Sequence, residues 1–490
     1  MSRHFFVGIG GTGSRVAEAL VYVGASGVLR RDVQVMLIDH DSGNGNYTAA
    51  LDQLRRYHSL WELRWEGIAR PGQSGGAPWW TALGPAVEAQ LPKAQSVAAT
   101  HALGDLDPKL TALVELLFDH EDLTLTLDKG YRGRAHIGSL DVLHRIDEGE
   151  WSRVLDLIHD ASGQQGEPTQ VTLCGSVVGG MGASTLPALA KALKNKLQDS
   201  VHLTALLYGP YFSWAGRGDA MDADVPPYQQ LPVSARLALT HYLETGSPFD
   251  STLFFGSGTL TPTNQRHAAG GEDQDNDPHL VELAGALEVA RSANEDRPRP
   301  GGWWACGLRV RPDEEVVRWS AVPGALDLAA RPRLLGFFSG LLAHEALLRK
   351  EVDRGGHDRV RWHRLMAGQS PLSSGDRGWN DLHEFARRGV EWLARLRTWG
   401  PPLVGVAVKE RFGDSALARA LEREWEPNSI DFASLAFRKK RDGGAAAMME
   451  AIGRADPYLD GRNSVSAYLG VLDSTGRRFY RTTLEERSRP

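Results

Sequence analysis

The stretch Phe5–Leu20, FFVGIGGTGSRVAEAL, decides the fold class. Phe5 to Ile9 is an apolar run of strand length. It breaks into Gly8-Ile9-Gly10-Gly11-Thr12-Gly13-Ser14, after which apolar residues recur at Val16, Ala19, Leu20 and Val23, the spacing of one helix face. A second strand, Val33 to Ile38, ends on Asp39-His40-Asp41. Strand, glycine turn, helix, strand is the opening of a doubly wound, mostly parallel α/β sheet.

The pattern returns downstream in Val171–Pro187, VTLCGSVVGGMGASTLP. A buried-type strand runs into Gly179-Gly180-Met181-Gly182-Ala183-Ser184, and the helix that follows carries Leu186, Leu189, Ala190, Leu193 and Leu197 on one face. Further strands are expected at His202–Tyr208 and Ser251–Phe255, and helices at Ser234–Leu243 and Leu280–Ala293. Thr263 to Pro278, rich in Gly, Asn, Asp and Gln, reads as an exposed loop. Residues 50–125 read as a mainly helical insertion interrupted from Pro71 to Trp80. Pro298, Pro300, Gly301 and Gly302 punctuate a boundary between a domain at 1–300 and a second, α+β domain at 301–490. The second domain is expected to hold helices near Leu334–Val352, Trp379–Leu396 and Ser415–Trp425 and a strand at Pro402–Val408.

Composition removes several function classes. A chain of 490 residues is too long for one hydrophobic core. A formal charge of -6 offers no basic face for nucleic acid, and Arg438-Lys439-Lys440-Arg441 reads as a solvated run. Cys174 and Cys306 have no CxxC spacing, and the histidines show no HExxH, so no metal site is expected from spacing. The N-terminus lacks a signal-peptide apolar region, and the apolar stretch Leu334 to Leu348 is too short to span a bilayer. A cytoplasmic protein without a membrane span is the expectation.

The chemistry lies in the glycine turns. A glycine-rich turn at a strand's carboxyl end aims bare backbone N–H groups and the positive end of a helix dipole at an anion. Gly10, Gly11 and Gly13, with the hydroxyls of Thr12 and Ser14, fit this, as does the run Gly179 to Ser184. One such turn suits a dinucleotide fold, an adenylating enzyme or a structural bend. Two in one sheet can hold different parts of one polyphosphate.

With these motifs in this order, residues 1 to about 300 resemble the tubulin/FtsZ superfamily, and most of all its divergent bacterial tubulin-like proteins. Gly8 to Arg15 is similar to the family's first nucleotide loop, and Asp39-His40-Asp41 stands in the place of the second. Lys129-Gly130-Tyr131-Arg132-Gly133-Arg134 stands where the third lies, beside the terminal phosphate. Val178 to Ser184 followed by Pro187 resembles the glycine-rich phosphate signature, and Tyr208-Gly209-Pro210-Tyr211-Phe212 the fifth loop. The resemblance implies a GTP-binding protein that self-associates head to tail into an oligomer or filament, with the nucleotide at the junction and slow or absent hydrolysis. A magnesium ion accompanies the nucleotide in this expectation, with no protein ligand assigned. Arg15 stands where the family has a base-contacting Asn, which keeps ATP as the alternative. Arg132 and Arg134 are then candidate phosphate contacts, and Glu282 is the carboxylate placed to read a base edge. Glu295 and Asp296 stand for the family's acidic catalytic loop.

Two other readings remain open. The first turn with Asp39-x-Asp41 also suits ThiF-like adenylating enzymes, which use ATP and usually carry a CxxC pair or a thioester cysteine. A non-catalytic nucleotide-binding scaffold is the other. A dinucleotide oxidoreductase would use Asp39 for the ribose but leaves the second glycine turn unexplained.

Overall fold

The computed structural model describes residues 4–66, 83, 87–90, 96–105, 107–162, 168–214, 231–256, 261–263, 270–295, 300–308, 319–325, 329–345, 373, 375–396, 452 and 464–485. The expected strand at Pro402–Val408, the helix at Ser415–Trp425, the interruption at Pro71–Trp80 and the basic run 438–441 lie outside these residues.

A seven-stranded sheet, parallel throughout, organises the chain. Its strands are β1 His4–Ile9, β2 Val33–Asp39, β3 Val87–Gln90, β4 Thr169–Ser176, β5 Val201–Tyr208, β6 Ser251–Gly256 and β7 Gly302–Gly307, in the order β3-β2-β1-β4-β5-β6-β7. Successive side chains point to opposite faces of the sheet, and both faces are covered, so both sets are apolar. Phe5, Val7 and Ile9 of β1 and Met36 and Ile38 of β2 enter one core, while Phe6, Val33, Val35 and Leu37 enter the other.

Among the described residues, ten longer helices cover the two faces: α1 Gly10–Ala25, α2 Gly45–Trp65, α3 Ala135–Arg145, α4 Gly149–Ser162, α5 Gly180–Leu197, α6 Leu231–Thr245, α7 Leu280–Asn294, α8 Ala330–Ala343, α9 Trp379–Arg395 and α10 Ser464–Glu485. On one face α1, α2 and α7 lie with α8, α9 and α10 in a single core that holds Leu20, Tyr22, Leu54, Leu287, Phe337, Trp392 and Tyr468. On the other, α3 to α6 supply Ile137, Trp151, Leu189, Leu193 and Tyr242. The α1 helix stops where Gly27 takes φ +73° and the Ser26 N–H turns back to the Tyr22 carbonyl.

Two features depart from the reading of the sequence. Segment 50–125 contributes the edge strand β3 as well as helices; at four residues it is too short to stand out in a helical neighbourhood. The sheet also continues past residue 300, where β7 pairs with β6 from Ser251↔Gly302 to Gly256↔Gly307. The Gly-Trp-Trp-Ala-Cys-Gly run of β7 is half exposed at the sheet edge, so it lacks the solid apolar signature of the inner strands.

Candidate functional site

β1 connects through α1 to β2 on one side, while β4 connects through α5 to β5 on the other, so the strand order reverses between β1 and β4. At such a switch point the two helices diverge and leave a crevice beyond the strand ends. Here the crevice is a cleft of about 1140 Å³, its open mouth included.

Both glycine turns form its floor. The α1 helix starts at Gly10, with φ +68°, and α5 at Gly180; the preceding residues Ile9 and Gly179 are extended, and neither helix has a side-chain cap on its first N–H groups. The turns are neighbours, since a Cβ on Gly10 would lie 3.3 Å from the Met181 Cβ. By contrast, the N-terminus of α2 is capped by Asn44 and that of α7 by His279 and Glu282. The uncapped amides of α1 and α5 thus converge on one space.

The glycines divide by role. Gly10, Gly11, Gly179, Gly180 and Gly182 line the cleft with Thr12, Met181 and Arg15. Gly13 does not; its Cβ would fall 2.6 Å from the Gly8 carbonyl carbon and 2.7 Å from the Cys174 oxygen, so it lets α1 lie directly on β1 and β4. Ser14 and Ser184 are also drawn inside, their hydroxyls donating to the carbonyls of Gly10 (3.0 Å) and Gly180 (2.7 Å). Ala183 sits on the helix outside the cleft lining.

Asp39 and Asp41 stand on the β2 side. Asp41 accepts N–H bonds from Gly43 (3.0 Å) and Gly271 (2.6 Å). Asp39 accepts from the Asp41 N–H at 3.1 Å and has a long, 3.4 Å contact to Asn44 Nδ2. Burial, reinforced by the charge of Asp41, pushes the Asp39 carboxyl up to about 7. The His40 imidazole between them is turned down against Tyr131 (ring centroids 5.2 Å), and burial lowers its pKa.

Lys129, Gly130, Tyr131, Arg132 and Gly133 close the cleft on a third side. Arg132 takes a left-handed φ of +44° and reaches Asp128 (3.1 Å) and Thr126 (3.3 Å). Arg134 does not line the cleft; it faces Asp122 at 3.2 Å and Glu121 at 3.8 Å.

Arg15, Tyr211 and Glu282 interlock behind the cleft. Arg15 Nε is 2.6 Å from Glu282 Oε1 and its Nη2 2.5 Å from the Tyr211 hydroxyl, which in turn donates to Glu282. The second Glu282 oxygen accepts the His279 N–H at 2.8 Å. Burial opposes the Arg15 charge, but Glu282 and Tyr211 outweigh it and its pKa is raised. Burial, with Arg15 nearby, lowers His279 to about 3, so that ring is neutral. Arg15 and Tyr211 line the cleft; Glu282, 1% exposed, does not.

No protein-family model and no curated protein matches this chain.

Glu295 lies far from the cleft. It caps the other end of α7, paired with Arg291 at 2.5 Å, beside Asn294, whose side chain bonds to Val28 and Arg30 at the opposite end of the sheet. Asp296 lies outside the described residues. Neither cysteine lines the cleft: Cys174 is buried within β4, and burial raises Cys306 to about 12.

Four amide side chains of the lining, Asn44, Asn46, Gln274 and Asn276, were not among the candidates read from the sequence. Residues 270–278, read there as an exposed loop, are zipped onto the start of α2. The Asn46 N–H donates to the Gln274 carbonyl (3.0 Å), the Asn276 N–H to Asn46 Oδ1 (2.9 Å), and Asn44 Nδ2 to Gln274 Oε1 (2.6 Å). The available signal was the amide-rich composition just before an apolar helix. Asn46 Nδ2 is buried with no hydrogen-bond partner among the described residues, and it would lie 3.2 Å from a Cβ on Gly11.

Proposed function

We propose that the cleft binds a nucleoside triphosphate, GTP in the first instance, with its phosphates on the N-termini of α1 and α5. The observation that carries this reading is the convergence of two uncapped helix N-termini on one cleft at the sheet's switch point. Each offers unpaired N–H donors and partial positive charge, and together they suit a polyphosphate. The orphaned Asn46 Nδ2 beside Gly11 supplies a further donor. Lys129 and Arg132 add cationic charge at the rim, and Asp39 is in place for ribose hydroxyls. The Asp39 carboxylate, once deprotonated, would alternatively suit a hydrated magnesium ion, which would offset phosphate charge when bound.

In this reading the protein self-associates head to tail, so that the open mouth of the cleft is covered by the far end of α7 from a second copy, where Glu295 lies. Turnover is slow or absent without that contact. The adenylating alternative draws no support from the cysteines, neither of which reaches the cleft.

Mass spectrometry of nucleotide released on denaturing the purified protein, paired with calorimetric titration of GTP, GDP, ATP and NAD, tests the reading. Preferential, stoichiometric GTP binding is expected. Selective binding of NAD or ATP, or failure of the folded protein to bind any nucleotide, overturns it.

A further inference from the structure

On the far side of the α1–α2 layer, the turn that ends α8 brings His344 and Glu345 against His383 of α9. One ligand atom from each lies within 4.8 Å of the others. The Glu345 Oε1 atom is 2.8 Å from His383 Nδ1 and 3.8 Å from His344 Nε2. A tetrahedral zinc ion with bonds of about 2.0–2.1 Å sets its ligand atoms roughly 3.4 Å apart. The observed separations straddle that value, so small side-chain rotations would close the site. One outward nitrogen is held as well: His344 Nδ1 is 3.0 Å from the Tyr468 hydroxyl of α10. Such outer partners fix the tautomer and aim of a ligating imidazole. In the tautomer whose Nδ1–H donates to the Tyr468 oxygen, His344 presents the Nε2 lone pair toward Glu345.

The backbone is shaped to match. The chain widens into a π-type turn at 344 and 345, which places two consecutive residues beside one point. His344 is enclosed by Trp379 and Tyr468 at 5.2 and 5.7 Å between rings, whereas the His383 side chain is 15% exposed. The cluster therefore has a closed back at His344 and its most accessible edge at His383.

We propose that His344, Glu345 and His383 bind one divalent transition-metal ion, zinc first among them, with a fourth position facing water. Two imidazoles and one carboxylate without a thiolate suit zinc. The ion would join α8 to α9 and, through Tyr468, to α10. Glu345 and His383 are 38 positions apart in sequence, which is why no spacing motif announces the cluster.

Zinc titration of the metal-stripped, full-length protein by calorimetry tests the assignment, with cobalt substitution and X-ray absorption on the wild type. One equivalent is expected, with nitrogen and oxygen ligands and no sulfur. His383→Ala and Glu345→Gln should each reduce binding to the level of adventitious surface sites while nucleotide binding is kept. Absence of stoichiometric zinc binding by the folded wild type, or unchanged binding in a folded His383→Ala variant, overturns the proposal. Should the variants fail to fold, a sulfur ligand or absent imidazole in the wild-type absorption spectrum overturns it equally.

Discussion

At Gly179 the backbone takes φ −85° and ψ 146°, open to any residue, and an added Cβ would find only Ser176 Cβ at 3.8 Å. A side chain there stands at the cleft wall without disturbing the fold. Gly179→Leu is therefore expected to abolish nucleotide binding at unchanged melting temperature, read by calorimetry and thermal unfolding side by side. Gly182 is the opposite case, since its Cβ would fall 2.8 Å from the Ser176 nitrogen and closer still to the Ser176 carbonyl oxygen. Gly182→Ala should cost about 1–3 kcal/mol of stability in urea unfolding. Asp39 gives a pH signature. Its folded carboxyl holds a proton up to about 7 while the unfolded one loses it near 3.8, so the folded state binds the extra proton between those values. Stability therefore falls as pH rises from about 4 to about 7 and stays at the lower level above, by on the order of 4 kcal/mol at most. Asp39→Asn should flatten that slope in denaturant titrations across the same range.

Between elements, the Arg15–Glu282–Tyr211 cluster pins the start of α1 to the start of α7. Removing one partner leaves a charge buried and unmatched, so Arg15→Ala should destabilise by about 3–5 kcal/mol in equilibrium unfolding. Because both oxygens of Glu282 are occupied inside the protein, Glu282→Gln is expected to lower stability while leaving the ratio of GTP to ATP affinity unchanged. Equal sensitivity of that ratio would place Glu282 on the base after all. This cluster also marks how far the sequence could be read. The inner strands and the helices α1, α5, α7 and α9 were legible because each buries a continuous apolar face, such as Leu186, Leu189 and Leu193 of α5. Both glycine turns were legible because their chemistry is local. What was not legible depends on residues distant in sequence. Arg15 turns to Glu282, Arg134 to Asp122, and the 270–278 loop closes on Asn44 and Asn46. No local pattern encodes which of several partners a polar side chain will meet. The edge strand β3 was missed for a different reason, since a short half-exposed strand needs no unbroken apolar run, while the strand-like run around Cys306 was legible but was assigned to the far side of the domain boundary.

Across the whole molecule, the sheet's two ends carry different chemistry. The cleft opens at the carboxyl ends of the strands, and α7 carries the chain from Glu282 beside it to Glu295 at the opposite end. Thirteen helical residues at about 1.5 Å each separate these carboxylates by roughly 20 Å along the axis. Glu295 therefore cannot reach a nucleotide held by its own chain. Its side chain is 46% exposed and, among the described residues, held from one side by Arg291, and so is presentable to a neighbour. A head-to-tail contact that sets this end over the next copy's cleft repeats without using itself up, and gives a filament or a ring according to the rotation between copies. If that contact carries catalysis, phosphate release should rise more steeply than linearly with protein concentration and vanish in dilute monomer. Glu295→Ala should then lower turnover within assemblies while leaving nucleotide affinity of the monomer unchanged, since misplacing or removing a water-positioning group costs on the order of 100-fold in rate. Sedimentation with GTP, set beside phosphate release on the same samples, measures both quantities. Turnover that stays proportional to concentration, in a species that sediments as a monomer, would put the catalytic groups inside one chain and remove the role given to Glu295.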